Sequence, residues 1–418
     1  MRLSTWHVTW RNLGRNRRRT LLAVAAIALG QTLVIAVNGL MSGSFDQMLA
    51  TVTGPLVGHV RIQHPEWEKE RAADLTIDHL PEVLAALEAL PDTESVSPRI
   101  YAAVLAAHGD PSNQPADADM AMIVGVDAPA ETAPGGILEG VPADCLPGVR
   151  GAVVGRVLAN RLGLEPGQTV AVIGQDADEF PNSDLFEVRA IVHSKVDVVN
   201  RLGVVLELES AQRFLALEDQ AHEIVVHGAD AREAEPLAAK IRKLEPLTGA
   251  RVLPWREAMP EMASIIDMKG WWDLVFVAIL FAAAAAGIAN TMMMSTFERT
   301  HEFGMLLALG TRPTRVVRLI VLEALLLGLM GVAVGSVLGT AIVLVTGHTG
   351  IDYGALGGVQ GAGDVAFFGV NISYVVYPKL EARYILLGVM AVTVTSVVAA
   401  TWPALLAARL EPAKAMRL

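Results

Sequence analysis

The chain has 418 residues, 52% of them hydrophobic, and a mean hydropathy of +0.42. That is too apolar for an ordinary soluble enzyme, while 18% charged residues are too many for a chain sunk wholly in lipid, so a membrane protein with a sizeable aqueous domain is expected. A net charge of −11 carries no basic nucleic-acid footprint, and Cys145, the one cysteine, excludes an internal disulfide and reads as a small semi-apolar residue.

Residues 1–19 carry Arg2, Arg11, Arg15, Arg17, Arg18 and Arg19 and no acid. They lead into Thr20–Met41, the first of four uncharged windows that meet the roughly 20 residues needed to cross a hydrocarbon core. It exceeds the roughly 7–15 apolar residues of a signal peptide and reads as a retained helix. The other windows are Leu274–Met294, Ala324–Thr346 and Tyr384–Ala408. Trp271, Trp272 and Trp402 fall near helix ends, where an aromatic belt belongs. The expected division is a cytoplasmic segment at 1–19, transmembrane helices at 20–41, 271–296, 315–346 and 384–408, an extracytoplasmic domain at 42–270, a cytoplasmic segment at 297–314, an outer loop at 347–383 and a cytoplasmic tail at 409–418. Orientation follows the Lys and Arg residues. The stretches 1–19, 297–318 and 409–418 hold 13 bases against Glu298, Glu302 and Glu411, whereas residues 42–270 hold 36 acids against 18 bases. Both termini are therefore expected in the cytoplasm and the acidic domain outside.

Within residues 42–270, "HVRIQ" (His59–Gln63), "MAMIVGV" (Met120–Val126), "TVAVI" (Thr169–Ile173) and "LFEVRAIVH" (Leu185–His193) read as strands. "PEVLAALEAL" (Pro81–Leu90) and "AREAEPLAAKIRKL" (Ala231–Leu244) have helical spacing, and "PSNQP" (Pro111–Pro115) reads as a loop. An α+β domain is expected, with a division near Gly140–Gly151. No G-x-x-x-x-G-K-[ST] loop occurs to cradle nucleotide phosphates, and no G-x-S-x-G marks a nucleophile. "HEIVVH" (His222–His227) is one residue too long for H-E-x-x-H, and on a strand its two histidines point to opposite faces. Neither a catalytic nor a metal site is expected.

Chemistry concentrates in "MMMSTFERTHEFGMLLALGTRPTRVVRLIVLEALLLG" (Met292–Gly328). A short amphipathic segment carries Phe303, Leu306, Leu307 and Leu309 near helical spacing, Gly310 stands where a helix should stop, and Pro313 precedes the next helix. Such a helix suits a partner's groove, although a plain hairpin turn fits it too. Glu323 is the one ionisable residue in an apolar stretch and reads as a structural acid near the inner interface, paired with an Arg, or as a proton relay. Gly331, Gly335 and Gly339 form a small-xxx-small stripe that serves either packing within the chain or a subunit interface. The connection 347–383 carries "VAFFGV" (Val365–Val370) and "ISYVVYP" (Ile372–Pro378), which is apolar for a solvent loop.

The loop resembles the signature of the FtsX/MacB/LolC-LolE permease family, roughly E-R-T-x-E-[IF]-G-x-x-x-A-L-G-[AT], matched here by Glu298, Arg299, Thr300, Glu302, Phe303, Gly304, Ala308, Leu309, Gly310 and Thr311. "PALLAARLEPAKAMR" (Pro403–Arg417) is similar to the family's closing motif, and "WRNLGRNRRRTLLAVAAIALG" (Trp10–Gly30) to its opening helix. "GAVVGRVLANRLGLEPGQTVAV" (Gly151–Val172) and "LESAQRFLALEDQAHEIVVHG" (Leu208–Gly228) resemble its porter-and-sabre domain. The fold so implied is an α-helical membrane protein with four transmembrane helices and a large α+β extracytoplasmic domain between the first two. The resemblance implies a non-catalytic permease working as a dimer, with a second copy or a paralogue, on two ATPase subunits that bind ATP and Mg. It makes Glu298–Gly310 the coupling helix. Because the chain opens on its first helix, the ATPase is expected to be a separate protein.

Length of the outer domain and helix count look most like LolC/LolE, which extract lipoproteins from the inner membrane, with a periplasmic acceptor as a further partner. A MacB-like exporter of peptides or amphiphiles with a periplasmic adaptor, and an FtsX-like regulator of a cell-wall hydrolase, are the alternatives. Met41, Phe45, Met48 and Leu49 recur at helical spacing past the first window. They are candidates to line a lipid-facing cargo cavity, or else they pack against the outer domain.

Overall fold

The structure, a computed structural model, describes residues 17–109, 118–356, 365–367 and 369–409. The "PSNQP" loop, the leader through Asn16 and the closing motif beyond Arg409 lie outside the described residues. The chain forms two compact units: Met1–Phe45 with Ile265–Leu356 and Val375–Leu418, and Asp46–Ser264 with Gly357–Tyr374.

In chain order, α1 (Arg17–Thr53) is followed by β1 (Val60–Gln63), α2 (Leu80–Glu88), β2 (Thr93–His108), β3 (Asp119–Val126), β4 (Gly151–Gly155), β5 (Thr169–Gln175), β6 (Pro181–Val192) and β7 (Gly203–Glu207). Then come α3 (Leu208–Leu215), β8 (Glu223–Gly228), α4 (Ala234–Ile241), β9 (Arg251–Pro254), α5 (Pro260–Glu298), α6 (Thr300–Ala308), α7 (Pro313–Thr349), β10 (Val365–Phe367), β11 (Val370–Ile372) and α8 (Ala382–Ala408).

In the first unit, α1, α5, α7 and α8 are each long and apolar enough to cross a membrane. Each contains one of the four uncharged windows, and α1, α5 and α7 run several turns past theirs, because polar residues outside hydrocarbon continue a helix at no desolvation cost. α7 is the most enclosed of the four. Its Ile320, Ala324 and Leu327 share a buried cluster with Ile27 of α1, Ile288 and Met292 of α5 and Val392 and Ala404 of α8.

The glycine stripe packs closely within the chain. A Cβ on Gly331 would stand 2.7 Å from the Ile27 side chain, one on Gly339 2.9 Å from Ile35, and one on Gly335 would run into the carbonyl oxygen of Ala28. Thr32 Oγ1 donates to the carbonyl of Gly335 at 3.1 Å. The three glycines are where α7 takes α1 against its backbone.

The second unit rests on one strand of unusual length. Thr93–Arg99, the first part of β2, pairs with β8, which pairs with β1, which pairs with β9, all antiparallel. With α2 and α4 in the connections this is a split β-α-β arrangement. The rest of β2 pairs with β3 and β5, and the order β2-β3-β7-β4-β6-β5-β2 closes into a six-stranded barrel. Val104, Ile123, Val154, Val172, Phe186, Val188 and Leu206 alternate into the domain core. Val124, Val153 and Val205, of opposite parity, are covered by Ile137 and Leu138 of the β3–β4 connection.

This moves the seam expected near Gly140–Gly151. The chain leaves the first half at β2, builds the barrel as one continuous insertion and returns at β8, so the first half is made of two separate segments and the boundary runs along β2. The predicted strands are all present. Ala231–Leu244 opens as a 3-10 turn before α4, and Pro236 is tolerated because it falls in the first turn of the helix.

The apolar material of the 347–383 connection also has its explanation. β10 and β11 form a hairpin whose Val370 is fully buried beside Val196. The Asn371 amide donates to the Lys195 carbonyl at 2.6 Å, Asn371 Nδ2 donates to the Ser194 carbonyl at 3.1 Å, and the Asp197 amide donates to the Gly369 carbonyl at 2.9 Å. Among the described residues of the connection, Val365–Phe367 and Val370–Ile372 form a docked hairpin rather than a solvent loop.

Candidate functional site

Arg299 interrupts the helical path between α5 and α6 with φ −111° and ψ 15°. Thr300 Oγ1 steadies the break by donating to the carbonyls of Phe297 at 2.8 Å and Thr296 at 3.2 Å. At the other end Gly310 takes φ +84°, a left-handed conformation that glycine adopts without strain, and Pro313 opens α7 in its first turn. Glycine stop and proline start are both where the sequence puts them.

α6 has two faces. Phe303 is 1% exposed and joins Val316, Ile320, Ala404 and Ala407 in the core of the first unit, with Leu307 packed at its edge. Gly304 is buried beside Phe303. Met305, Leu306 and Leu309 are 45%, 40% and 78% exposed, and Ala308 and Glu298 are exposed with them. The amphipathic reading therefore needs correcting: Phe303 and Leu307 anchor the helix from behind and are not docking knobs. Met305 was missed, although it stands four residues before Leu309 and so shares its face.

Behind α6 lies a charge cluster. Arg299 Nε donates to Glu302 at 2.9 Å and Arg299 Nη1 donates to Glu323 at 3.1 Å, and the guanidinium carbon stands 5.0 Å from the Phe303 ring centre. The Arg299 and Glu323 side chains are 13% and 8% exposed. The arginine partner expected for Glu323 is thus Arg299, from the Glu298–Thr311 motif itself. An isolated carboxylate there would be costly; a paired one is a structural element.

The candidate cargo residues Met41, Phe45, Met48 and Leu49 are all half-buried along α1. Lys269 Nζ stands 5.8 Å from the Phe45 ring centre, donates to Ser42 Oγ at 3.0 Å and lies 3.6 Å from Glu381. An apolar groove of about 510 Å³ opens elsewhere, between α5 and α8, lined by Leu274, Val277, Phe281, Ala285, Val394 and Val398 among others. None of the four α1 residues lines it.

The last turns of α1, from Asp46, belong to the second unit and are held within it. Arg99, 1% exposed, donates Nε to Glu131 at 2.8 Å and Nη1 to the carbonyls of Pro55 at 2.7 Å and Leu56 at 3.3 Å. The second carboxylate oxygen of Glu131 accepts from the Ile137 amide at 2.9 Å. His227 Nε2 lies 3.1 Å and 3.0 Å from the carbonyls of Thr53 and Gly54, the last acceptors of α1. Neighbouring His59, its pKa pushed down to about 4 by burial and then by His227, is neutral near pH 7 and accepts from the Gly228 amide at 2.9 Å. His222 stacks on Trp67 with ring centres 4.2 Å apart, so the two histidines of "HEIVVH" serve separate structural contacts.

Against known proteins, residues 274–412 match the FtsX-like permease C-terminal family and residues 20–244 the MacB-like periplasmic core domain. The lipoprotein-releasing system transmembrane protein LolE of Haemophilus influenzae is 23% identical over 98% of this chain and 98% of its own length. LolC of Neisseria meningitidis serogroup B is 22% identical over 66% of each chain. The chain spans well under two thirds of the length of other relatives it matches, a Methanocaldococcus jannaschii ABC transporter permease and a macrolide exporter MacB among them. The crystal structure of the periplasmic region of MacB from Actinobacillus actinomycetemcomitans aligns with 52% of this chain and 95% of that one at 12% identity and a TM-score of 0.35. The second unit, inserted after the first of four membrane-type helices, and the signature carried by α6 agree with these matches: the chain belongs to the FtsX/MacB/LolC-LolE family of ABC transporter permeases.

Proposed function

We propose that this chain is the non-catalytic permease subunit of an inner-membrane machine that releases lipoproteins, driven by a partner ABC ATPase. α6 is the coupling helix, seated on the ATPase in the cytoplasm, and the large domain lies on the opposite side of the membrane. A second permease copy or a paralogue completes the complex, and ATP and Mg are bound by the ATPase chains.

The observation that carries the reading is the two-faced construction of α6. Met305, Leu306 and Leu309 are held outward on a helix anchored from behind by Phe303. An apolar face that is exposed yet rigidly backed is what a partner's groove requires. The lipoprotein assignment is favoured by a LolE relative alignable end to end. The match to the MacB-like periplasmic core domain favours the second reading, export of peptides or amphiphiles.

The test is Leu309→Glu in the full chain, with ATPase retention on purification and lipoprotein release from proteoliposomes as readouts. Retention and release should both fall while membrane insertion is unchanged. Normal retention would remove α6 from the interface, and normal retention and ATP turnover with no lipoprotein released by the unmodified complex would favour export.

A further inference from the structure

The link between α6 and the helix after it is weak along the backbone. Residues 309–312 join them, and Gly310 in its left-handed conformation makes that turn compliant. A push on α6 delivered only through this turn would largely be absorbed there. The opposite end of α6 is tied differently. One guanidinium, at the α5–α6 break, holds Glu302 of α6 with Nε and Glu323 of α7 with Nη1. Glu323 lies ten residues past Pro313, about three helical turns into α7, so the tie grips α7 well inside the helix rather than at its frayed start. Phe303 packs under the same guanidinium, which fixes its plane.

We propose that Arg299 is a positioning residue, the joint that carries displacement of α6 into α7, with Glu323 as its seat. This rests on the reading of α6 as the ATPase-docking helix and adds which helix receives the stroke and through which side chain. The pair is suited to the task because neither partner can be abandoned. Glu323 is 6% exposed, and pulling it from the guanidinium would cost a buried carboxylate a charged partner. The bridge resists separation of the two helices and so favours their moving together. A lysine can neutralise Glu323 but has no planar fork with which to hold both carboxylates.

The experiment uses the full chain with Cys145→Ser, purified with the ATPase that accompanies it from its own host. Spin labels are placed on cysteines at Val275 of α5 and Val345 of α7, which are 45% and 63% exposed. Two quantities are read: the amount of ATPase retained, and the change in label separation between nucleotide-free and ATP–vanadate states. Arg299→Gln and Arg299→Lys should retain the ATPase at the unmodified level and lose most of the ATP-dependent change. Arg299→Glu with Glu302→Gln and Glu323→Arg, which rebuilds the tie with its charges exchanged, should recover it. An undiminished change in Arg299→Gln overturns the joint while leaving α6 docking intact, and so does a triple variant that folds and docks without recovery. Loss of ATPase retention in Arg299→Gln would make Arg299 a docking or folding residue and equally overturns the proposal. If the unmodified chain retains no ATPase, the docking reading itself falls and takes the joint with it.

Discussion

Arg99, buried, and Arg299, part-buried, are both paired with a carboxylate, yet they serve different ends. Arg299 holds two acids on two helices, whereas Arg99 spends one nitrogen on Glu131 and another on the backbone carbonyls that follow α1. Glu131 is 1% exposed, and besides Arg99 it bonds the Ile137 amide. Arg99→Ala would leave that carboxylate buried and uncompensated and two carbonyls without their donor, a loss of about 3–5 kcal/mol. Replacing both partners, Arg99→Met with Glu131→Gln, should recover a large part of it, since desolvated charge is then absent. Thermal unfolding of the detergent-solubilised full chain would measure this, and an Arg99→Ala variant that melts with the unmodified protein would contradict the geometry. Nothing in the sequence singled out Arg99. Its only signal was a basic residue inside the strand pattern "SPRIYAAVL", where an unpaired charge could not be buried.

At the scale of elements, what was legible followed from repetition. Four uncharged windows, period-two strands and a glycine-then-proline punctuation around α6 each state a local rule several times over, and each element formed where expected. What was not legible depended on contacts distant in sequence. The division of the large domain could not be read because β2 belongs to both halves, and the inward turn of Phe303 required knowing where α8 lies. The glycine stripe sits between these cases, with its residues visible and its partner not. The structure ranks them. The obstacle is main chain at Gly335, the Ile27 side chain together with the Val24 carbonyl at Gly331, and the side chain of Ile35 at Gly339. Substitution to alanine should therefore destabilise most at Gly335, on the order of 1–3 kcal/mol or more, and least at Gly339, where the nearest approach, 2.9 Å to Ile35, is the mildest of the three. Melting temperatures of the three variants supply the order. A subunit-interface role would instead show as altered oligomer size with little change in melting.

For the whole molecule the governing fact is how charge is distributed along the chain relative to the helices. Basic residues cluster before α1, around α6 and after α8, while residues 42–270 are strongly acidic, and four crossings satisfy both biases at once only if α6 and the large domain face opposite compartments. The charge rule acts on short basic flanks and says little of long domains, so the segment around α6, with Arg299, Arg312, Arg315 and Arg318, carries most of the argument. The structure supplies clean reporters on each side of it: Arg312 precedes α7 and is exposed, and Asp178, in the β5–β6 turn, is exposed as well. In a Cys145→Ser background, single cysteines at these positions should divide sharply toward a membrane-impermeant thiol reagent. In cells with a permeabilised outer membrane and an intact inner one, Asp178→Cys should be labelled and Arg312→Cys protected until the inner membrane is opened. The opposite pattern would invert the topology and remove α6 from the side where an ATPase finds ATP. Labelling of both in intact cells would mean that the charge bias does not fix a single orientation, and the coupling role of α6 would then have to be tested on each population separately.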